Sequence, residues 1–374
     1  MMMVDRRLIK NFNWSIFSLV ALICLVGLIN LYSASYQIGL SIFKKQLLWI
    51  AVGFVGVIFV SFLESKTIER YTYHMYLASL ALLIIVLIFG KEVSGSKSWI
   101  SVGEYISIQP SEFAKVPVIL ALAKFYHNDF EDAPYGFQDL IKPIFLIILP
   151  VVLVILQPDL GTAFMILLIS GSLVLFMGLK AKLIFLLLIV IISLPFPAWH
   201  FFLKDYQKER IETFLDPSRD PLGSGYNSIQ SQIAIGSGKV FGKGIKRGTQ
   251  TQLRFIPEQH TDFAFSVLAE EWGFTGVVFL LLLYFLLILW ILDTASLAKN
   301  KFSMIVAFGV AAMFFWHILI NVGMVSGILP VTGVPLLILS YGGSSTITAM
   351  LGIGIVMGIR MRKLPAAKES IEFR

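Results

Sequence analysis

Three short polar segments in an otherwise apolar sequence contain the side chains best suited to chemistry. The first is Gln-Pro-Ser-Glu-Phe-Ala-Lys at 109–115, the second is Gln-Pro-Asp-Leu-Gly-Thr at 157–162, and the third is Pro-Glu-Gln-His-Thr-Asp-Phe at 257–263. Each borders or enters a long apolar stretch. Ionisable groups inside a membrane span are energetically costly and usually serve a function. We therefore treat these segments as candidate sites.

The third segment places a carboxylate at the predicted outer end of a long apolar helix. Asp262 would be hydrated enough there to ionise, and near enough to apolar surroundings for its pKa to move towards neutrality, as a general base requires. An alternative stays equally open: Thr261 caps the helix and Asp262 interacts with the positive end of the helix dipole. His260 is a weak metal-ligand candidate because the sequence has no second His or Cys at ligand spacing.

The first two segments also allow more than one role. Glu112 and Lys115 are three residues apart, so they share one helical face and can pair. The pair is either a self-neutralising structural contact or part of a functional site. Asp159 stands in a tight turn between two predicted spans, where capping of the next helix is its expected role.

Glycine and basic residues mark two further regions. Basic side chains among the glycines of the loop at about 203–261 suit phosphate or pyrophosphate, or alternatively anionic phospholipid; they are Arg210, Lys239, Lys243, Lys246, Arg247 and Arg254. The sequence has no P-loop motif, which argues against ATP-driven transport by this chain and against a nucleotide cofactor. Segments 330–335 and 340–345 put helix-breaking residues at and within the last span, either lining a cavity or allowing close helix packing.

The elements that must position these residues are membrane helices. The chain is 57% hydrophobic and 14% charged, with a mean hydropathy of +0.82, whereas soluble domains carry about 25% charged residues. We predict an all-α, polytopic integral membrane protein with one domain over 1–374 and about ten spans. The predicted spans are 14–32, 47–63, 76–89, 112–126, 144–156, 161–178, 183–202, 262–292, 304–325 and 335–358.

Basic residues predict the orientation of these spans. Of 30 Lys and Arg residues, 16 lie in segments that would be cytoplasmic if both termini were inside, and only four lie in the short outer loops. This distribution follows the positive-inside rule, so the net charge of +7 is mainly a topology signal. The loop at about 203–261, between spans 7 and 8, is then extracytoplasmic, and Ile229, Ile233 and Ile235 predict a partly helical piece on the membrane. The single cysteine, Cys24, excludes an intrachain disulfide.

The order and context of these motifs resemble the SEDS (shape, elongation, division and sporulation) family over nearly the whole chain. The matching segments are 109–115, 157–162, 216–217, 225–227, 230–231, 234–238, 257–262 and 340–345. Segments 248–253 and 330–336 favour the elongation branch over the division branch. One departure is Lys239, where the family pattern suggests a second glycine after Gly238.

The resemblance implies a peptidoglycan glycosyltransferase that polymerises lipid II at the outer face of the bacterial cytoplasmic membrane by an inverting displacement. Asp262 matches the family's essential aspartate and is expected to act as the general base. The substrate contacts that the resemblance implies are Gln109, Ser111, Glu112, Lys115, Asp159, Arg210, Glu258, His260, Thr261 and Ser344. A divalent cation, Mg²⁺ or Mn²⁺, could neutralise the departing pyrophosphate, but the sequence identifies no site for it.

The resemblance also implies a partner, a class B penicillin-binding protein whose single span would pack on small residues of the ninth and tenth spans. Two other functions remain open at this point. A lipid II flippase would also suit ten spans with intramembrane charges, and a non-catalytic scaffold of the elongation complex would suit the membrane fold alone. The grouping of Asp262 and the basic loop at one face favours the enzyme, because transporters bind near the midplane.

Overall fold

A computed structural model describes residues 11–37, 39–93, 96–102, 106–129, 134–193, 195–197, 199–200, 205–216, 220 and 223–362. Each predicted span has a helical counterpart in these residues. The counterparts are α1 (Trp14–Ser35), α2 (Ser41–Phe62), α3 (Ser65–Phe89), α4 (Pro110–Asn128), α5 (Ile141–Ile155), α6 (Leu160–Phe176), α7 (Ala181–Ser193), α12 (Ala264–Ser296), α13 (Lys301–Val325) and α14 (Gly343–Met361). The predicted polytopic helical fold is confirmed.

Helices dominate because a backbone in lipid must satisfy its hydrogen bonds internally. By length and composition, α1, α2, α3, α12, α13 and α14 can each cross a membrane, and α5, α6 and the first part of α7 are shorter apolar helices. Polar caps fix several starts. Asn13 accepts from the amide of Ile16 at the start of α1, and Asn300 accepts from Ser303 at the start of α13.

The last two spans form the centre of the bundle. In the most apolar part of α13 and α14, 67% and 83% of the residues are buried, against 28% in α2. Small residues in these two helices already serve contacts within the chain: a side chain at Gly309 would meet Ile119, and one at Gly354 would meet Val57. These two glycines are therefore not available to a partner's span, and the packing of that span on other small residues of these helices stays a prediction.

The chain between the spans holds smaller elements. Strands β1 (Lys91–Val93), β2 (Ser96–Val102) and β3 (Ile106–Ile108) form an antiparallel meander that the sequence analysis did not predict. The predicted seventh span is divided, because α7 ends at Ser193 and a short helix, α8 (Pro195–Pro197), follows it. The long loop contains the helices α9 (Asp205–Leu215), α10 (Ser224–Ser237) and α11 (Thr249–Gln252). The helical piece predicted around Ile229–Ile235 is therefore confirmed. α10 also packs on the bundle, since Ser231 Oγ lies 2.7 Å from Ser266 Oγ.

Two predicted spans differ from the observed helices. α12 contains a non-helical residue, Gly273, at φ 66° and ψ −166°, a conformation that needs glycine. The last helix begins at Gly343 rather than at 335. Residues 330–342 run through the protein without helical structure, and we call them the connecting segment. Their backbone is held instead by side chains of other helices.

Contacts between helix ends distinguish the two ends of the bundle. At one end, Lys124 Nζ at the end of α4 donates to Glu69 O at the start of α3, and Arg362 Nη2 at the end of α14 donates to Phe62 O at the end of α2. Lys301, the first residue of α13, also reaches the Tyr135 hydroxyl at this end. The opposite end holds the starts of α4, α6, α12 and α14. The three polar segments identified in the sequence converge there.

Candidate active site

Asp159 joins three helix starts. Its Oδ1 accepts from the amide of Thr162 at 3.1 Å, so it caps α6 as the sequence predicted. Its Oδ2 accepts from Gln109 Nε2 at 2.8 Å and from Ser111 Oγ at 2.9 Å. The backbone amide of Gln109 donates to Ser344 Oγ at 2.8 Å. Four predicted site residues thus form one polar cluster at the starts of α4, α6 and α14.

Asp262 lies two residues before α12 and is half-buried. Its backbone carbonyl accepts from Asn321 Nδ2 at 2.8 Å, and the same amide group donates to Val334 O at 2.8 Å. Asn321 therefore links Asp262 to the connecting segment. A side chain at Gly333, which has φ 71°, would come within 3.5 Å of Asp262 Oδ2. The connecting segment therefore passes directly beside the carboxylate of Asp262.

The alternative role of Thr261 as a helix cap is wrong. The capping position of α12 is Phe263, which makes no side-chain capping hydrogen bond. Thr261 Oγ1 donates instead to Glu258 Oε2 at 3.1 Å. The carbonyl of His260 accepts from the amide of Tyr341, which joins this segment to the connecting segment. Burial lowers the pKa of the His260 imidazole, and the Glu258 carboxylate partly opposes that change, so His260 is neutral near pH 7.

Glu112 and Lys115 form the predicted ion pair. Lys115 Nζ lies 2.8 Å from Glu112 Oε1 and 2.9 Å from His317 Nε2, and the lysine side chain is 1% exposed. His317 Nδ1 is 2.9 Å from the carbonyl oxygen of Pro335. The sequence analysis missed His317, although the rule that identified Glu112 applies equally to a histidine within an apolar span. This chain of contacts again ends on the connecting segment.

The connecting segment is held by buried side chains from several helices. His317 and Asn321 bind the carbonyls of Pro335 and Val334, and the Tyr284 hydroxyl binds that of Leu337. A side chain at Gly161 would come within 2.4 Å of Thr332 O, so the start of α6 packs directly on the segment. The segment thus passes between α6 and Asp262, with backbone groups satisfied as burial requires.

The basic residues of the long loop are only partly available to a ligand. Lys243 Nζ pairs with the fully buried Glu270 at 2.7 Å, and Lys246 Nζ lies 3.9 Å from the ring centre of Tyr36. Glu270 was not identified from the sequence, although it is a carboxylate in a predicted span. Arg210 belongs to α9, but its side chain lies outside the described residues. Among the described residues, no group of three or more His, Cys, Asp or Glu side chains could hold a metal ion.

Comparison with known proteins agrees with this architecture. The sequence model of the FtsW/RodA/SpoVE family, described as cell cycle protein, matches residues 13–364. The chain belongs to this family, the SEDS family. The SEDS relatives include peptidoglycan glycosyltransferase MrdB of Escherichia coli K12, which is 41% identical over 94% of this chain and 93% of its own length. RodA of Treponema pallidum is 34% identical over 96% and 99%, and stage V sporulation protein E of Bacillus subtilis is 33% identical over 90% and 94%.

Solved structures of SEDS proteins share the fold. A chain from a peptidoglycan synthase complex, described as coordinating polymerization and crosslinking, aligns with a TM-score of 0.80 and 34% identity over 93% of this chain and 97% of its own. RodA of Thermus thermophilus aligns with a TM-score of 0.71 and 29% identity over 95% and 98%. These matches cover nearly the whole chain, so they establish a multi-pass membrane protein of the SEDS fold.

Proposed function

We propose that this chain is a peptidoglycan glycosyltransferase that polymerises lipid II into glycan strands during cell elongation. The curated relatives MrdB and RodA carry the name peptidoglycan glycosyltransferase. The reaction would take place at the outer face of the cytoplasmic membrane, with both termini in the cytoplasm. The excess of basic residues in the segments assigned to the cytoplasm supports that orientation.

The position of Asp262 is the observation that carries the proposal. The carboxylate lies at the end of the bundle where α4, α6, α12 and α14 begin, half-buried and beside a glycine of the connecting segment. Its backbone is fixed by Asn321. A base must be held within hydrogen-bond reach of the proton that it accepts. A fixed carboxylate beside a residue without a side chain meets that requirement for a sugar hydroxyl.

The proposed reaction is a single inverting displacement. Asp262 takes the proton from the 4-hydroxyl of the incoming disaccharide. At the same time, the oxygen of that hydroxyl attacks the anomeric carbon of the growing glycan. The bond from that carbon to the undecaprenyl pyrophosphate breaks, and the pyrophosphate leaves with the electron pair. The α-linkage becomes a β-linkage, and the proton remains on Asp262 until it passes to solvent. A divalent cation, Mg²⁺ or Mn²⁺, would help to neutralise the departing pyrophosphate, and among the described residues no group of three or more His, Cys, Asp or Glu side chains marks a site for it.

The remaining site residues divide by position. Gln109, Ser111, Asp159 and Ser344 form the polar cluster at the same end of the bundle as Asp262, where they would contact the headgroup or its pyrophosphate. Glu258, His260 and Thr261 precede Asp262 and would border the acceptor sugar. Glu112 and Lys115 are almost fully buried in their own pair, so we assign them to holding the site rather than touching substrate. Arg210 would meet the pyrophosphate from the long loop.

A class B penicillin-binding protein is the proposed partner, because glycan strands must be crosslinked after polymerisation. A solved relative belongs to a complex described as coordinating polymerization and crosslinking, which supports such an assembly. Most side chains of α7 are exposed in the chain alone. Lipid or a partner's span would cover this surface.

The test is polymerisation of lipid II by the purified chain together with its transpeptidase partner. Wild type should produce glycan polymer, and Asp262→Ala should not, while still folding and binding the partner. Normal polymerisation by Asp262→Ala would overturn the catalytic assignment. Lipid II scrambling in proteoliposomes without polymerisation, lost on substitution of Lys115, would instead support a flippase.

A further inference from the structure

A histidine outside every polar segment of the sequence links the buried ion pair to the connecting segment. His317 is fully buried in the middle of α13. One ring nitrogen lies 2.9 Å from Lys115 Nζ, and the other lies 2.9 Å from Pro335 O. A lone buried histidine commonly serves only packing, but this one has a polar partner on each side. Its two contacts are the starting point of the inference.

The chemistry of the neighbours fixes the protonation state of this ring. A lysine ammonium can only donate hydrogen bonds, so His317 Nε2 must accept from Lys115. A backbone carbonyl can only accept, so His317 Nδ1 must carry the hydrogen and donate to Pro335. The neutral Nδ1–H tautomer satisfies both neighbours at once. Glu112 Oε1 accepts from Lys115 Nζ at 2.8 Å and holds the lysine in place.

The carbonyl that His317 binds belongs to the part of the connecting segment nearest Asp262. One helical turn further along α13, Asn321 binds the preceding carbonyl, Val334 O, and also Asp262 O. Gly333, the next residue back, approaches Asp262 Oδ2. Two successive carbonyls are therefore bound by two side chains of one helix. Pro335 has no amide hydrogen, so its carbonyl is its one backbone group available for anchoring.

We propose that His317 is a positioning residue that holds Pro335 and, through it, the place of Gly333 beside Asp262. Glu112, Lys115 and His317 act as one buried strut between α4, α13 and the connecting segment. The strut keeps Gly333 at a constant distance from the carboxylate. The expected effect on kcat rests on the proposed function. The expected effect on the connecting segment can be measured without substrate.

The experiment compares three substitutions that separate the two contacts. His317→Asn places an amide donor near the original Nδ1 and should keep the bond to Pro335 while losing the bond to Lys115. His317→Gln places an amide oxygen near the original Nε2 and should do the reverse. His317→Leu removes both. Trp316→Phe is the matched control, because Trp316 is the adjacent residue and its partly buried hydrogen bond goes to Ser172 on α6 instead.

Two quantities are measured on the full-length protein: kcat and KM for lipid II with the partner present, and hydrogen exchange of the amides in 331–342. We expect His317→Leu and His317→Gln to lower kcat about 10- to 100-fold with KM within about twofold, since small displacements of catalytic groups have effects of this order. Exchange in 331–342 should become faster in both. His317→Asn should recover most of the kcat and wild-type exchange, and Trp316→Phe should match wild type in both.

The outcomes separate this inference from the proposed function. If wild type makes no polymer, the proposed function fails, and the exchange comparison still decides whether His317 holds the segment. Wild-type kcat and exchange in His317→Leu would overturn the inference. Rescue by His317→Gln rather than by His317→Asn would also overturn it, because the contact that matters would then be the one to Lys115. The His317→Asn and His317→Gln variants serve as controls for a general loss of folding in His317→Leu.

Discussion

Asp159 shows how one side chain can organise several helix starts. Its two oxygens accept from a backbone amide of α6 and from two side chains of α4. An isolated surface carboxylate would contribute little to stability. Here the carboxylate satisfies a helix terminus and fixes the separation of α4 and α6 at the same time. Its structural role can therefore be separated from a role in binding substrate.

Asp159→Ala should lower the free energy of unfolding by about 1–3 kcal/mol, because it removes a helix cap and leaves the Gln109 and Ser111 donors without their acceptor. Asp159→Asn keeps an oxygen for the cap and should cost less than half as much. Thermal unfolding in detergent measures both. Equal destabilisation by the two variants would contradict a dominant capping role. A loss of polymerisation in Asp159→Asn without loss of stability would indicate a substrate contact.

Sequence reasoning at the residue scale identified groups whose partners are local. Glu112 and Lys115 are three residues apart on one helix, and Asp159 caps the helix that directly follows it, so spacing alone predicted both contacts. His317 and Glu270 were missed because their partners, Pro335 and the loop around Lys243, are defined only by tertiary packing. Their presence inside apolar spans was the available signal.

At the scale of elements, the start of α6 supports the connecting segment by close backbone contact. Gly161 lies where any side chain would come within 2.4 Å of Thr332 O, whereas a side chain at Gly171 on the same helix would have nothing within 4 Å. Both glycines lie in α6, and only their surroundings differ. They form a matched pair for testing whether α6 positions the segment.

Gly161→Ala should displace Thr332 and Gly333 relative to Asp262 and lower kcat for polymerisation about tenfold or more. Gly171→Ala should leave kcat unchanged and slightly raise stability, since alanine favours helix over glycine by about 1 kcal/mol. Rates of lipid II polymerisation and thermal unfolding of both variants check this. Equal rates in the two variants would mean that the contact with α6 does not set the geometry of the site.

The long loop is attached to α12 through a buried carboxylate. Glu270 accepts from Lys243, from the amides of Gln250 and Thr251 and from the Thr251 hydroxyl. Glu270→Ala would leave a lysine and two amides without their partner. Loss of one member of a buried ion pair costs about 3–5 kcal/mol. The part of the loop around 243–254 should therefore detach from α12.

Limited trypsin digestion in detergent measures that detachment, because Lys243, Lys246, Arg247 and Arg254 lie in this part of the loop. Cleavage between 243 and 254 should be much faster in Glu270→Ala than in wild type. Glu92→Gln, at an exposed strand residue, should leave the cleavage rate unchanged. Unchanged cleavage in Glu270→Ala would show that other contacts hold the loop.

The elements themselves were largely predictable, with one instructive exception. Apolar length identified every span, because lipid leaves helices as the available structure for such segments. The last span was predicted from 335, since Leu336–Leu339 are as apolar as any span. The structure leaves them non-helical because distant side chains, including those of His317 and Tyr284, satisfy their backbone. Hydropathy carries no information about such partners.

At the scale of the whole molecule, the two ends of the bundle differ in their contacts and in their predicted side. One end joins the start of α3, the end of α4 and the ends of α2 and α14. The other end holds Asp262 and the polar cluster around Asp159. The positive-inside distribution assigns the first end to the cytoplasm. The proposed chemistry depends on that assignment, because we propose that polymerisation takes place at the outer face.

Single cysteines introduced into a Cys24→Ala background test the orientation. Lys44→Cys, in the first turn of α2, should react with a membrane-impermeant maleimide added to intact spheroplasts. Lys299→Cys, between α12 and α13, should react only after permeabilisation. Both native lysines are exposed, so reactivity reports the side of the membrane rather than burial. Labelling of Lys299→Cys in intact spheroplasts would reverse the proposed topology.

The most direct measurement of the central claim is the polymerisation rate of Asp262→Asn together with its affinity for lipid II. Asparagine keeps the size and the hydrogen-bonding capacity of the side chain but cannot accept the proton of a sugar hydroxyl. General-base catalysis contributes about 10²- to 10⁴-fold, so kcat should fall by that factor while the Kd for lipid II stays within about twofold. A rate close to wild type with unchanged affinity would contradict the assignment of Asp262 as the base.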